Sequence, residues 1–289
     1  MLRTSQAQTV ETTPLSLRTI RNAGFQVLEI PNIAVTSLVF PGKNNSALFT
    51  DFPTSKVKVR QGLSYAIDRE QIITTILEGL GTVPARHGIA PSNVGYDPSW
   101  KPDPYDPNRA KQLLAEAGYP NGFDLTVHSF PYAAIPWYPQ VTEAIAGFWS
   151  EIGVRANINS TEFGSLVQTF RRRPQDRAIV GTTFLLPTFI RQEPLSGLAG
   201  YYTRTAPINL LPAPDKMDDL FFKAQTTLDP NERVALTRQI VQLAYDEYVT
   251  APIALSGALY GAVKGLTGWK PIQSTPGLGF IAEHLQPRP

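Results

Sequence analysis

Residues 106–127 read DPNRAKQLLAEAGYPNGFDLTV, and they spell out a helix, a turn and a strand in order. Asp106 offers a side-chain oxygen to the orphan amides of a first helical turn. Pro107, with no amide hydrogen to lose and a backbone already near helical φ, suits the position after it. Ala110, Leu113, Leu114 and Ala117 then recur on one face at helical spacing, and Gly118 ends the run. Tyr119-Pro120-Asn121-Gly122 supplies turn chemistry, after which Phe123, Leu125 and Val127 alternate as one side of a strand. The next stretch repeats the plan. Val141, Ile145, Phe148, Trp149 and Ile152 form a helical stripe closed by Gly153, and Val154, Ala156 and Ile158 alternate behind it. Helices alternating with strands predict an α/β fold, a mixed sheet covered by helices, with parallel neighbours wherever a crossover helix joins two strands.

Working outward, Phe25–Ile30 and Thr36–Phe40 read as two short strands joined through Pro31-Asn32. A helix is predicted over residues 56–67. A second follows Asp68, with Ile72, Ile73, Ile76, Leu77 and Leu80 at helical spacing. Residues 82–106 are irregular, but Tyr96, Trp100 and Tyr105 predict that the segment packs over something. Downstream come a helix near Phe163–Arg172, an apolar run Ala178–Leu186, an irregular stretch 187–214, and helices over 215–226 and 229–248, the last opened by Asp229-Pro230. APIALS and LYGAV are extended segments near the end.

Composition narrows the function classes. The 289 residues carry 26 basic and 24 acidic side chains, so the formal charge of +2 offers no concentrated basic surface for nucleic acid. Arg171–Arg173 is the lone basic run and reads as a solvated helix end. Zero cysteines remove disulfides, thiolate metal sites and thiol nucleophiles together. No stretch is continuously apolar over roughly 18 residues, and the first twenty contain no apolar export core. His87, His128 and His284 lack ligand-like spacing, which argues against a metal site, and no cofactor motif occurs. Gly-x-Ser-x-Gly and the phosphate-cradling Gly-rich loop are missing. Glu143, Glu151, Glu162 and Asp218-Asp219 fall on predicted helix ends or exposed faces.

Three blocks, VKVRQGLSYAIDREQIITTILEGLGTVPA (57–85), PYDPNRAKQLLAEAGYPNGFDLTV (104–127) and VTEAIAGFWSEIGVRANI (141–158), resemble in order and spacing the peptide/nickel-type solute-binding proteins of ABC importers. The resemblance implies a periplasmic-binding-protein-like type II lobe and a chain lacking roughly the first half of a family member. Residues 1–55 would be the end of the first lobe and a hinge strand, 56–262 the second α/β lobe, and 263–289 a return segment. It also implies a monomeric, non-enzymatic, periplasmic or extracytoplasmic protein that captures a peptide-like or other small solute and delivers it to an ABC permease in the membrane. Arg60, Tyr65, Asp68 and Arg69 read as scaffold at a helix junction, with Asp68 capping and Arg60 pairing locally.

Two stretches are candidates for ligand contact. Residues 129–139, SFPYAAIPWYP, join a strand end to a helix start and carry Tyr132, Trp137 and Tyr138. Residues 184–204 carry Phe184, Phe189, Arg191, Glu193, Tyr201 and Tyr202. Peptide-binding members resembling this chain use an acid near the second stretch and an arginine ahead of the helix before the Ile-Gly-Val block. Here the first loop has no basic residue and the acid is Glu193, in shifted context, so an uncharged or aromatic-stacking solute is expected over a dipeptide. Two alternatives stay open: a glycoside-type hydrolase using paired carboxylates, and a truncated scaffold or receptor-docking lobe.

Overall fold

The computed structural model describes residues 1–4, 6–42, 52–132, 135–171, 179–191, 193–203 and 214–267. Six strands form one sheet: β1 (Thr9–Thr12), β2 (Gln26–Val39), β3 (Asp124–Ser129), β4 (Arg155–Ser160), β5 (Thr183–Phe189) and β6 (Thr250–Ala262), in the order β1-β6-β2-β5-β3-β4. Pairing is antiparallel from β1 across to β5, then parallel for β5–β3 and β3–β4. The mixed α/β architecture expected from the alternating pattern is therefore present. The two parallel neighbours that the second unit predicts are β3 and β4, joined by helix α5 (Tyr138–Glu151).

The helices form where the sequence places caps and stripes. In α4 (Pro107–Glu116) the Asp106 carboxylate accepts the Arg109 amide at 2.8 Å, and Ala110, Leu113 and Leu114 are buried. Asp68 caps α3 (Arg69–Thr75) by accepting the Gln71 amide, and Asp229 caps α9 (Pro230–Asp246) by accepting those of Asn231 and Glu232. Helices α2 (Val57–Tyr65), α6 (Phe163–Arg171) and α8 (Lys216–Thr226) complete the predicted set.

Three local expectations are corrected, and one short helix appears that the sequence reading did not include. Phe25–Ile30 and Thr36–Phe40 belong to one strand, because Asn32, at φ +57°, makes a bulge between Ile30 and Ala34 that bends β2 without ending it. APIALS and LYGAV likewise merge into β6. Within 187–214, Leu195–Tyr202 is a helix, α7, whose first amides at Leu195 and Ser196 are accepted by the Glu193 carboxylate. Its Gly and Ala content hid it from a stripe search. Before β2, Leu17–Asn22 forms the short helix α1. The Arg171–Arg173 side chains and residues 268–289, most of the expected return segment, lie outside the described residues.

Buried charge holds the layers together. The Arg60 guanidinium donates to the carbonyls of Thr54 and Ser55, the local pairing expected, and also to those of Glu247 and Tyr248, distant in the chain. Burial lowers its pKa to about 10, partly countered by Glu247. Arg69 donates to the carbonyls of Ser64, Ile67 and Pro252 and lies 3.8 Å from Asp103, which accepts hydroxyls from Ser64, Tyr245 and Tyr248. The 82–106 segment packs as expected: the Arg86 guanidinium sits 3.5 Å from the Tyr245 ring centre and 5.2 Å from that of Trp100.

Candidate ligand crevice

From β3 the chain steps through α5 to β4 on one side, then returns through α6 to β5 on the other side of β3. The order in which strands are added reverses at β3 while β5, β3 and β4 stay parallel, so the loops leaving the carboxyl ends of β3 and β5 diverge and open a crevice there. The first stretch singled out from the sequence begins at the end of β3, and the second runs along β5 and leaves its carboxyl end at Phe189.

Aromatic rings line the β3 side. Tyr132 stacks on Tyr138 with centroids 6.0 Å apart and planes 19° from parallel, and meets Phe163 edge-on at 5.0 Å. Phe130 lies 5.0 Å from Phe163 and 6.4 Å from Phe184. Offset and edge-on packing of this kind fixes ring orientation as well as burying area. On the β5 side the Tyr201 hydroxyl donates to the Pro187 carbonyl at 2.9 Å, tying α7 to β5.

Behind these elements sits His87, 5% exposed. One ring nitrogen lies 2.7 Å from the Ser37 hydroxyl on β2 and the other 2.9 Å from the Thr188 hydroxyl on β5, while Tyr201 and Tyr202 pack at centroid distances of 5.5 and 5.7 Å. Burial lowers its pKa to about 3, so the imidazole is neutral and bridges two strands by donating once and accepting once.

The predicted residues divide by depth. Tyr132, Phe189 and Tyr201 are half-buried and Arg191 is exposed, so these four present surface. Trp137, Tyr138, Phe184 and Tyr202 are buried, at 3%, 1%, 1% and 3% exposure. Burial pushes the Tyr138 hydroxyl pKa well up, an effect that the Thr36 hydroxyl partly offsets. Trp137 nonetheless reaches a notch of about 60 Å³, with Phe189, Ile33 on β2, Ser256 and Leu259 on β6, and Thr12 on β1. Glu193 is separated from the rest: it caps α7 and borders a different groove, beside Val94 and Leu228. Sequence reasoning missed Thr12, Ile33 and Ser256, which carry no motif and reach the notch only because three strands distant in sequence pair side by side.

Other chemistry is sparse among the described residues. No group of three or more histidine, cysteine, aspartate or glutamate side chains is placed to hold a metal. His128, on β3, is buried with both ring nitrogens unpartnered, and burial lowers its pKa. His284 lies outside the described residues. No helix among the described residues is long and apolar enough to cross a membrane. Of the acids weighed for catalysis, Glu162 accepts the Ser165 amide at the start of α6, and Glu151 is the last residue of α5.

Comparison with known proteins gives one consistent result. Residues 1–183 match the family described as bacterial extracellular solute-binding proteins, family 5 Middle. The chain is similar to heme-binding protein A of Haemophilus influenzae, 37% identical over 134 residues, covering 46% of this chain and 24% of that protein. It is similar over 99% of its length to the glutathione-binding protein GsiB of Escherichia coli, at 26% identity, and covers 55% of it. The fold matches the crystal structure of a putative peptide binding protein AppA from Clostridium difficile, with a TM-score of 0.81 at 18% identity over 99% of this chain and 58% of that one. The chain thus spans about half or less of the length of these relatives.

Proposed function

This chain belongs to the family 5 bacterial extracellular solute-binding proteins, and from that premise we propose that it forms one wall of a ligand cleft in the substrate-binding component of an ABC importer. On this reading residues 1–55 bring the chain out of a first lobe, 56–262 form the second, and 263–289 lead back. The protein works outside the cytoplasm as a monomer, encloses a small solute without transforming it, and hands it to a membrane permease.

The observation that carries this reading is the crevice at the carboxyl ends of β3 and β5. A solute pocket typically measures about 300–1,000 Å³, whereas the notch here measures about 60 Å³ and is bordered by β1, β2 and β6 as well as by Trp137 and Phe189. That is the geometry of a half-site, which a facing surface completes by closing over it. Tyr132, Phe189, Arg191 and Tyr201 would meet the solute first. Trp137, Tyr138, Phe184 and Tyr202 would back them.

The wall favours an uncharged or aromatic-stacking solute over a dipeptide. Glu193 already accepts the first amides of α7, and the loop 129–139 carries no base for a peptide carboxylate. Desolvating charged peptide termini without partners costs several kcal/mol, on the order of 2–7 even for neutral polar groups. Calorimetric titration with a dipeptide panel and an oligosaccharide panel tests this: the sugars or other neutral ring-bearing solutes should bind more tightly. Dipeptides binding tighter than every neutral solute would refute the preference.

A further inference from the structure

One row of side chains across three strands lines the notch beside Trp137. Phe189 on β5 pairs with Ala34 on β2, and Ala34 with Ser256 on β6, so all three point to the same face of the sheet. Trp137, from the entry to α5, and Glu11, from the edge strand β1, line it too. Ser256 is 8% exposed, and its hydroxyl has no hydrogen-bond partner among the described residues. The notch of about 60 Å³ has room for a few heavy atoms of a solute, since roughly 10–15 Å³ of such space holds one water.

Its charge is one-sided. Among the described residues that line the notch, Glu11 is the one charged side chain; it is exposed and has no hydrogen bond or ion pair to another described residue. A second acid stands nearby: the Glu29 carboxylate on β2 comes within 2.9 Å of where a Cβ on Gly257, itself in the lining, would stand. Arg191, two residues beyond Phe189, runs toward α7 instead, its Cδ 4.0 Å from where a Cβ on Gly197 would stand. A free carboxylate, an unpaired hydroxyl and the rings of Trp137 and Phe189 around so small a space are the complement of an ammonium group. Oxygen atoms accept its protons, and aromatic rings attract its charge.

Resting on the reading of the crevice as half of a solute site, we propose that Glu11 selects, within the aromatic-stacking class, solutes that carry a protonated amine and no carboxylate. The ammonium enters the notch against Glu11 and Ser256, and the rest of the solute extends along the crevice. A dipeptide also brings an ammonium, but its carboxylate then meets two acids and a loop, 129–139, that has no base.

Phenethylamine, 2-phenylethanol and phenylacetate share a ring and a short stem and differ in the charge at its end. Titrated into the full chain at pH 7 and followed by NMR chemical shifts, the amine should bind at least about threefold more tightly than the alcohol, the size expected for a screened ion pair with a ring contact. Phenylacetate should bind most weakly. Glu11→Gln should bring the Kd of the amine to that of the alcohol; circular dichroism with a melting curve checks that the variant folds. Equal Kd values for amine and alcohol, phenylacetate binding as tightly as the amine, or a gap between amine and alcohol that survives Glu11→Gln would each overturn the role of Glu11 and leave the crevice reading standing. If none of the three shifted the resonances of crevice residues, the crevice reading would fail and this inference with it.

Discussion

His87 shows how much one buried side chain can couple. Its ring joins β2 to β5 through Ser37 and Thr188, 50 and 101 residues away, and backs Tyr201, whose hydroxyl holds α7 to β5. Its folded pKa, about 3, lies below the ordinary 6.5, so below pH 6.5 the unfolded chain takes up a proton that the folded chain refuses. The stability this neutral imidazole contributes is complete above pH 6.5 and drains away as pH falls toward 3, by up to about 1.4 kcal/mol per pH unit. His128, also lowered by burial, acts in the same direction. His87→Gln keeps a donor and an acceptor but does not titrate. Urea unfolding of both proteins between pH 4 and 7 should show the variant with the flatter dependence, and identical slopes would refute the assignment. From sequence this histidine was one of three without a pattern, because its hydroxyl partners are ordinary strand residues until the sheet brings them together.

At the scale of elements, the helix–turn–strand unit that fixed the fold is held by local chemistry, apart from one contact. Gly122, at φ +71°, ends the turn before β3 so close to the turn before β4 that an added Cβ would lie 1.8 Å from the Gly153 carbonyl oxygen. Gly122→Ala therefore meets both a disfavoured backbone conformation and a backbone clash, and should cost about 3 kcal/mol or more. Asp106→Ala, which removes only the cap on α4, should cost about 1 kcal/mol. Comparing the two midpoints in urea checks the order, and an Asp106→Ala loss equal to that of Gly122→Ala would mean the turns can part. The same scale explains the misread elements. Pro31-Asn32 has the composition of a turn, yet pairing of β2 with β6 resumes at Ala34, so a turn signal became a bulge. Helix α7 has small residues at half of its positions and is defined by Tyr202 and Leu198 packing and by the Glu193 cap, which a periodicity search does not weigh.

For the whole molecule, the notch is the decisive feature. A cavity of about 60 Å³ is too small to enclose a solute, so most of a bound solute's surface stays in water. Interactions there stay screened and few, because enclosure is what strengthens them. We expect this chain alone to bind any crevice solute weakly, with Kd on the order of millimolar, roughly −4 kcal/mol, and to bind far more tightly once a facing lobe is supplied in the same polypeptide. Calorimetry on both forms measures the difference; micromolar or tighter binding by the chain alone would mean that the crevice is already a complete site.

The sequence by itself determined the strongly patterned local units: the helices and strands of residues 106–158, where Asp68, Asp106 and Asp229 start helices and Gly118 and Gly153 stop them, and that their alternation makes an α/β sheet. Those properties follow from backbone propensity, capping and periodicity, which act within a few residues along the chain. Only the tertiary structure decided that the loops after β3 and β5 share one crevice while Glu193 turns away to a second groove, that four of the nine candidate side chains lie buried behind the surface, and that His87 pins the wall in place. These depend on strand order and on contacts between residues scores of positions apart, set by how sheet and helices exclude water together, which no local pattern encodes.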